Sequence, residues 1–140
     1  MGFVSIIMKV WNAQEHVRLC LKTLLKHTDD PFELIVVDNG SQPEVVQFLR
    51  TAASGDPRIR LVENPTNLGP GHANRQGVAI AKSRTICLID SDVLVPHGWL
   101  ARLAAEFEKH PEVKLLAPLN YHQTLSHPFG ADNSTAAWFK

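Results

Sequence analysis

A Rossmann-like α/β fold, with a mostly parallel sheet in a three-layer α/β/α arrangement, is what this sequence predicts, and three observations predict it. Short runs rich in Val, Ile and Leu alternate with longer segments whose apolar residues recur at helical spacing, a pattern that makes right-handed βαβ units. The apolar runs are nearly continuous, as in strands covered on both faces. Several of them end in polar or acidic residues, at the strand ends where open α/β sheets bind ligands.

Val4 to Val10 is the first such run, interrupted only by Ser5 and Lys9. Asn12 then reads as a helix cap with Glu15 three residues on, and Val17, Cys20, Leu21, Leu24 and Leu25 form one apolar face as far as about His27. Leu34 to Val37 is the second strand and leads into Asp38-Asn39-Gly40-Ser41. Ser41 with Glu44 suggests a second capping box, with Val45, Val46, Leu49 and Ala53 lining a helix that Gly55-Asp56-Pro57 stops. Ile59 to Val62 is a third, short strand. The turn-forming residues Asn64 to Gly71 then lead to a helix from about His72 to Lys82, where Ala73 and Gly77 allow close packing on the sheet. Ile86 to Ile89 reads as a fourth strand buried on both faces. Pro96-His97-Gly98 opens a helix whose stripe is Trp99, Leu100, Leu103, Ala104 and Phe107, and Val113 to Leu119 reads as a fifth strand. From Asn120 onward the apolar period is lost.

At 140 residues the chain fits one domain with a real core, and 44% hydrophobic with 20% charged residues is ordinary globular composition. Fourteen basic and fourteen acidic side chains leave no net charge, so nothing here points to nucleic acid. Cys20 and Cys87 have no cysteine near them and read as reduced core residues. No run approaches the roughly 18 apolar residues of a membrane span, and no signal peptide opens the chain. The expected location is the cytoplasm, with the inner face of a membrane as a second possibility.

The residues that carry chemistry lie at strand ends. Asp90 and Asp92 follow the fourth strand, and paired carboxylates repel each other unless a cation intervenes. Mg²⁺ or Mn²⁺, sharing its shell with phosphate oxygens, suits that position. Trp11 and Asn12 end the first strand and Asp38 the second. An aromatic plate, an isolated carboxylate and a carboxylate pair on one rim match a metal-bound nucleotide: the ring stacks on the base, a base N–H or ribose hydroxyl donates to a carboxylate, and the cation bridges the diphosphate. Each residue also has a plain reading. Trp11 suits a core edge, Asn12 a cap, Asp38 an Asx-turn through Gly40, and Asp-Ser-Asp a solvated turn.

Taken together in order, these motifs resemble the family 2 glycosyltransferases of the GT-A fold. The matching residues are Val4-Ser5-Ile6-Ile7 with its aromatic-Asn end, Asn12-x-x-Glu15, Ile35-Val36-Val37-Asp38-Asn39-Gly40-Ser41, Asn67-x-Gly69, Gly77, and Ile89-Asp90-Ser91-Asp92-Val93 leading into Pro96-x-Gly98-Trp99-Leu100. The resemblance spans about residues 4–119. It implies a metal-assisted, inverting transfer of sugar from a UDP-, GDP- or dTDP-sugar to an acceptor hydroxyl on a glycan, a lipid-linked molecule or a protein. In that reading Asp38 binds base or ribose, Asp90 the ribose and metal region, and Asp92 the metal, while Trp11, Asn12 and Gly69 complete the donor site. Residues 1–119 form the nucleotide-sugar-binding domain, and 120–140 are a loop or the start of a missing acceptor-binding segment.

Departures from the pattern are equally specific. Lys9-Val10-Trp11-Asn12 stands where the family usually has Pro-Thr-Tyr-Asn. Arg75, two residues before Gly77, replaces a common Asn, and its guanidinium fork suits a donor phosphate. Inverting members place their catalytic carboxylate beyond the fifth strand, so the catalytic base is unassigned, with Asp132 a weak candidate and His122 and His127 no more than loop histidines. A fragment of this kind is expected to transfer sugar poorly. It is also expected to self-associate through Tyr121, Phe129, Trp138 and Phe139. Two other readings compete. One is a non-catalytic α/β nucleotide-binding module. The other is a haloacid dehalogenase-type phosphatase, disfavoured because Leu94 stands where that motif wants Thr or Val and the Asp pair lies far from the start of the chain.

Overall fold

A computed structural model of the chain describes residues 2–117. Four strands and four helices alternate: β1 (Val4–Val10), α1 (Gln14–His27), β2 (Phe32–Asp38), α2 (Pro43–Gly55), β3 (Ile59–Glu63), α3 (Pro70–Ile80), β4 (Ile86–Asp90) and α4 (Trp99–Lys109). All pairings are parallel and the sheet order is β3-β2-β1-β4, so the predicted α/β class holds. The order reverses between β1 and β4, which makes their carboxyl ends a topological switch point. The chain divides into two compact units, residues 1–101 and 102–140, and the sheet belongs entirely to the first.

The pleat of β1 explains how the sheet is covered. Ile7 packs with Ile35, Val37 and Ala73 of α3, and a Cβ on Gly77 would collide with the Ile7 side chain. A backbone this close needs glycine, as the sequence suggests. Met8, one residue on, faces the opposite side, where its sulfur lies 3.7 Å from the Cys20 sulfur of α1. Helices therefore cover both faces. β1 and β2 are buried almost throughout, with Ile6, Ile7, Met8, Leu34 and Ile35 fully enclosed.

Several expectations change. β4 is not buried on both faces: among the described residues it pairs only with β1, and Leu88 is 55% exposed. Its continuous apolar run signals cover that the described residues do not supply. Of the fifth strand expected over 113–119, residues 113–117 form no strand, and the remainder lies outside the described residues. Neither capping box forms. Ala13 occupies the N-cap position of α1 and Gln42 that of α2, each without a side-chain cap bond, because Asn12 and Ser41 are used on each other's loops. α3 begins at Pro70, two residues earlier than expected, since proline's fixed φ suits the first helical turn.

At the amino ends of the strands, the sheet encloses a carboxylate that sequence reading passed over. Glu33 is buried on β2. It accepts hydrogen bonds from the Ser5 hydroxyl at 2.7 Å, the Lys82 amide at 2.7 Å and the Arg60 guanidinium at 2.9 Å. Burial works to raise its pKa, but these three donors outweigh it and hold the carboxyl below the usual glutamate range.

Candidate functional site

The carboxyl ends of β1 and β4 open onto a depression of about 450 Å³, within the size range of ligand sites. Trp11, Ala13 and His16 line it from the β1–α1 side, Asn39, Asn67 and Pro70 from the β2 and β3 loops, and Lys9, Asp90, Ser91 and Asp92 from the switch point.

The β1–α1 turn sets the position of Trp11. Asn12 and Ala13 both adopt left-handed backbone conformations, φ 59 and φ 53, an arrangement that costs about 1–2 kcal/mol per non-glycine residue. Bonds to the neighbouring loop hold it. The Asn12 amide donates to Ser41 Oγ at 2.8 Å, the Gln42 amide donates to Asn12 Oδ1 at 2.8 Å, and the Asn39 amide donates to the Val10 carbonyl at 2.8 Å. With the chain turned this way, Trp11 stands 58% exposed on the rim. Asn12 thus braces two loops, and its side-chain oxygen is already engaged.

Asn39 is the hub of the opposite wall. Its Nδ2 donates to Asn67 Oδ1 at 2.8 Å and to the Gly69 carbonyl at 3.2 Å. Its Oδ1 accepts from Asn64 Nδ2 at 3.2 Å and from the Leu68 amide at 3.1 Å. Asn67 Oδ1 also accepts from the Gly69 amide at 2.9 Å, and Gly69 turns the chain with φ 85 into α3. The amino end of α3, which carries a partial positive charge, thereby starts at the depression through Pro70.

Asp38 behaves differently. Strand alternation puts it on the side of Leu34 and Val36, away from Asp90, and it is only 1% exposed. Both carboxylate oxygens accept from the Ser41 amide at 3.3 Å. It does not line the depression, whereas its neighbour Asn39 does. Arg75, expected near the donor phosphates, does not join the site either. It lies on α3 beside a second depression with His72, Asn74 and Val78.

Asp90 ends β4 and Asp92 sits in the turn after it, so the strand's alternation does not extend to Asp92; the turn brings both carboxylates to one cavity. The following loop is pinned to the end of α1. The Val95 amide donates to Thr23 Oγ1 at 3.3 Å, and His27 Nδ1 lies 2.7 Å from the Val95 carbonyl, which only accepts, so Nδ1 carries the proton. Trp99 Nε1 donates to Thr28 Oγ1 at 2.8 Å. Beneath the turn, the Cys20 thiol donates to the Asp90 carbonyl at 3.6 Å. Burial first, then the charges of Asp92 and Asp90, push the Cys20 thiol up to about 11, so it stays protonated and unreactive.

A divalent cation fits this wall in one sense only. Among the described residues no group of three or more His, Cys, Asp or Glu converges as a donor set. Two carboxylates on an open cavity match sites in which substrate phosphates and water complete the shell. Lys9 Nζ donates to Asp90 Oδ1, a contact sequence reading missed. Its signal was there: a lysine near the end of an otherwise apolar strand.

Comparison with known proteins follows the same lines. The family model described as Glycosyl transferase family 2 matches residues 5–127. An uncharacterized glycosyltransferase of Haemophilus influenzae is 30% identical over 102 residues, covering 73% of this chain and 41% of the relative. The S. aureus TarS 1-349 crystal structure in complex with UDP-GlcNAc superposes with a TM-score of 0.67 at 25% identity, covering 79% of this chain and 32% of that one. The mannosyltransferase PcManGT of Pyrobaculum calidifontis, in complex with GDP-Man and Mn2+, shares the fold with a TM-score of 0.68 at 24% identity, covering 74% and 32%. The chain therefore spans about two fifths of that curated relative and a third of those structures. None of the described helices is long and apolar enough to cross a membrane.

Proposed function

As the chain belongs to glycosyl transferase family 2, we propose that it supplies the donor site of an enzyme that moves a sugar from a nucleoside-diphosphate sugar to an acceptor hydroxyl. The observation that carries this reading is the convergence of Trp11, Asp90 and Asp92 on one cavity at the switch point of the sheet. The exposed indole of Trp11 offers a face on which a nucleobase stacks. The amino end of α3 beside Gly69 suits the diphosphate, because helix N-termini favour anions. Asp92, with Asp90, is the ligand pair for Mn²⁺ or Mg²⁺. When bound, the cation neutralises the departing nucleoside diphosphate while the anomeric carbon is attacked.

The donor class is a UDP-, GDP- or dTDP-sugar, and the similarity to a TarS structure holding UDP-GlcNAc supports a nucleotide sugar. The inverting course, the acceptor class (a glycan, a lipid-linked molecule or a protein) and the cytoplasmic setting belong to the same proposal. No described residue is assigned as the base. Asp132, His122, His127 and the aromatic residues of the tail lie outside the described residues.

Calorimetry with UDP, GDP and dTDP, with and without Mn²⁺, tests this directly. Asp92→Asn keeps the size of the side chain but removes its charge, and is expected to weaken metal-dependent binding by about 1 kcal/mol or more. Equal affinity with and without Mn²⁺ in the unsubstituted chain would remove the metal from the reading.

Asp38 needs a subtler variant, because its buried carboxylate already accepts from the Ser41 amide, so truncating it would disturb the turn whether or not it also meets the nucleoside. Asp38→Asn retains an oxygen acceptor for the Ser41 amide. A nucleoside contact predicts weaker nucleotide binding, by roughly 1 kcal/mol, at little cost in stability. Unchanged binding in a normally folded variant would restrict Asp38 to holding the turn.

A further inference from the structure

Parallel pairing of β1 with β4 sets Lys9 directly opposite Asp90. Both side chains therefore leave the same face of the pleat, at the mouth of the cavity they line. Lys9 lies between the buried Met8 and Val10, and its side chain is less exposed than that of Asp90, 30% against 63%. The stem is held by the sheet while Nζ donates to Asp90 Oδ1. Among the described residues lining the cavity, Lys9 is the only lysine or arginine. The wall thus holds two carboxylates and one ammonium.

We propose that Lys9 is a built-in counter-cation of Asp90 that competes with the divalent ion, so that metal enters this site efficiently only together with a nucleoside diphosphate. The inference rests on Asp90 and Asp92 being the metal ligands. An oxygen that accepts from an ammonium has less charge to offer a metal, and a divalent ion next to Nζ is repelled by it. Diphosphate oxygens change both terms, because they give Nζ another acceptor and add negative charge beside the cation. Lys9 then becomes a phosphate contact and Asp90 is released to the metal. Metal and nucleotide bind cooperatively, and the bare protein retains little metal.

Mn²⁺ alone, titrated into the full 140-residue chain at pH 8 and followed by the electron paramagnetic resonance of the free ion, reads the competition without any turnover. Lys9→Met is expected to bind Mn²⁺ about tenfold more tightly than the unsubstituted chain, the order of effect of removing one nearby unit charge in a partly screened setting. Lys9→Arg, which keeps the charge, is expected to stay near the original affinity. Saturating UDP is expected to raise Mn²⁺ affinity strongly in the original chain and much less in Lys9→Met. Circular dichroism checks folding, and Lys9→Gln serves as a second charge-removing variant. Mn²⁺ affinity that is unchanged or weaker in both neutral variants, while Asp92→Asn still lowers it, overturns the competition and leaves the metal ligands standing. Mn²⁺ binding indifferent to Asp90→Asn and Asp92→Asn alike overturns the metal site itself, and Lys9's role with it.

Discussion

Glu33→Ala is expected to destabilise the domain by about 3 kcal/mol, the order found when one member of a buried charge-assisted network is deleted. Glu33 joins β1, β3 and the segment between α3 and β4: Ser5 and Arg60 reach it from neighbouring strands, and the Lys82 amide closes over it. Truncation leaves the buried Ser5 hydroxyl and the part-buried Lys82 amide without their acceptor. Arg60 loses less, since it is partly exposed and also donates to the Ile80 carbonyl at 2.8 Å. Urea unfolding measures the change. Stability equal to that of the unsubstituted chain would mean that water replaces the carboxylate without penalty.

The same residue gives a pH signature whose sign is determined. The folded pKa of Glu33 is lowered, because its hydrogen-bond donors outweigh the burial that raises it. Its contribution is therefore fully present above the unfolded value, about 4.3, and is lost as pH falls through the lower folded value. Glu33→Gln is expected to show a shallower loss of stability below about pH 4 than the unsubstituted chain, because this one linkage is gone. Asp56 and Glu63, held low by Arg58 and Arg50, keep part of the acid sensitivity in either protein.

The sheet was legible because its signal is periodic and repeated. Apolar runs at Val4–Val10 and Leu34–Val37 are buried as their composition demands, and the helices between them needed no more than apolar spacing to be located. What failed is informative in physical terms. Asn12 and Ser41 look like caps of their own helices, since a cap is the commonest use of those residues before a helix. They instead bond across two loops that only the folded sheet brings together. Ile86–Ile89 looks central because its composition records what covers it, whether or not that cover lies among the described residues. Asp38 and Asp90 both end strands, but the pleat sends them to opposite faces, and strand register decides that rather than local sequence. Lys9 was passed over as one of two interruptions of the first apolar run, and Glu33 because the second strand was read as starting at Leu34, one residue after it, although a charged residue inside a buried strand implies a partner.

Gly40→Ala is expected to cost about 3 kcal/mol or more and to weaken nucleotide binding as well. Gly40 has φ 78, and the left-handed region costs a residue with a Cβ about 1–2 kcal/mol. An added Cβ would also lie 2.6 Å from the Thr66 carbonyl carbon, 2.7 Å from Thr66 Cα and 2.9 Å from the Asn67 nitrogen. All three are backbone atoms, so no rotamer change relieves the contact, and overpacking of this kind adds about 1–3 kcal/mol. Relief requires the Thr66–Asn67 backbone to move away from the β2 loop. That motion pulls Asn67 Oδ1 from Asn39 Nδ2 and the Leu68 amide from Asn39 Oδ1, the bonds that place Gly69 and Pro70 at the cavity. A purely structural defect would lower stability and leave the affinity of the folded fraction unchanged. Here both are expected to fall, because the wall of the proposed donor site is the element displaced. Gly71→Ala is the control: nothing lies within 4 Å of its added Cβ, and in the first turn of α3 alanine is expected to match glycine or gain up to about 1 kcal/mol. Urea unfolding compared with calorimetric titration of UDP and Mn²⁺, below the unfolding transition of both variants, separates the effects. A Gly40→Ala protein as stable as the Gly71→Ala control would show that the Thr66–Asn67 backbone yields freely and that this wall is not rigid.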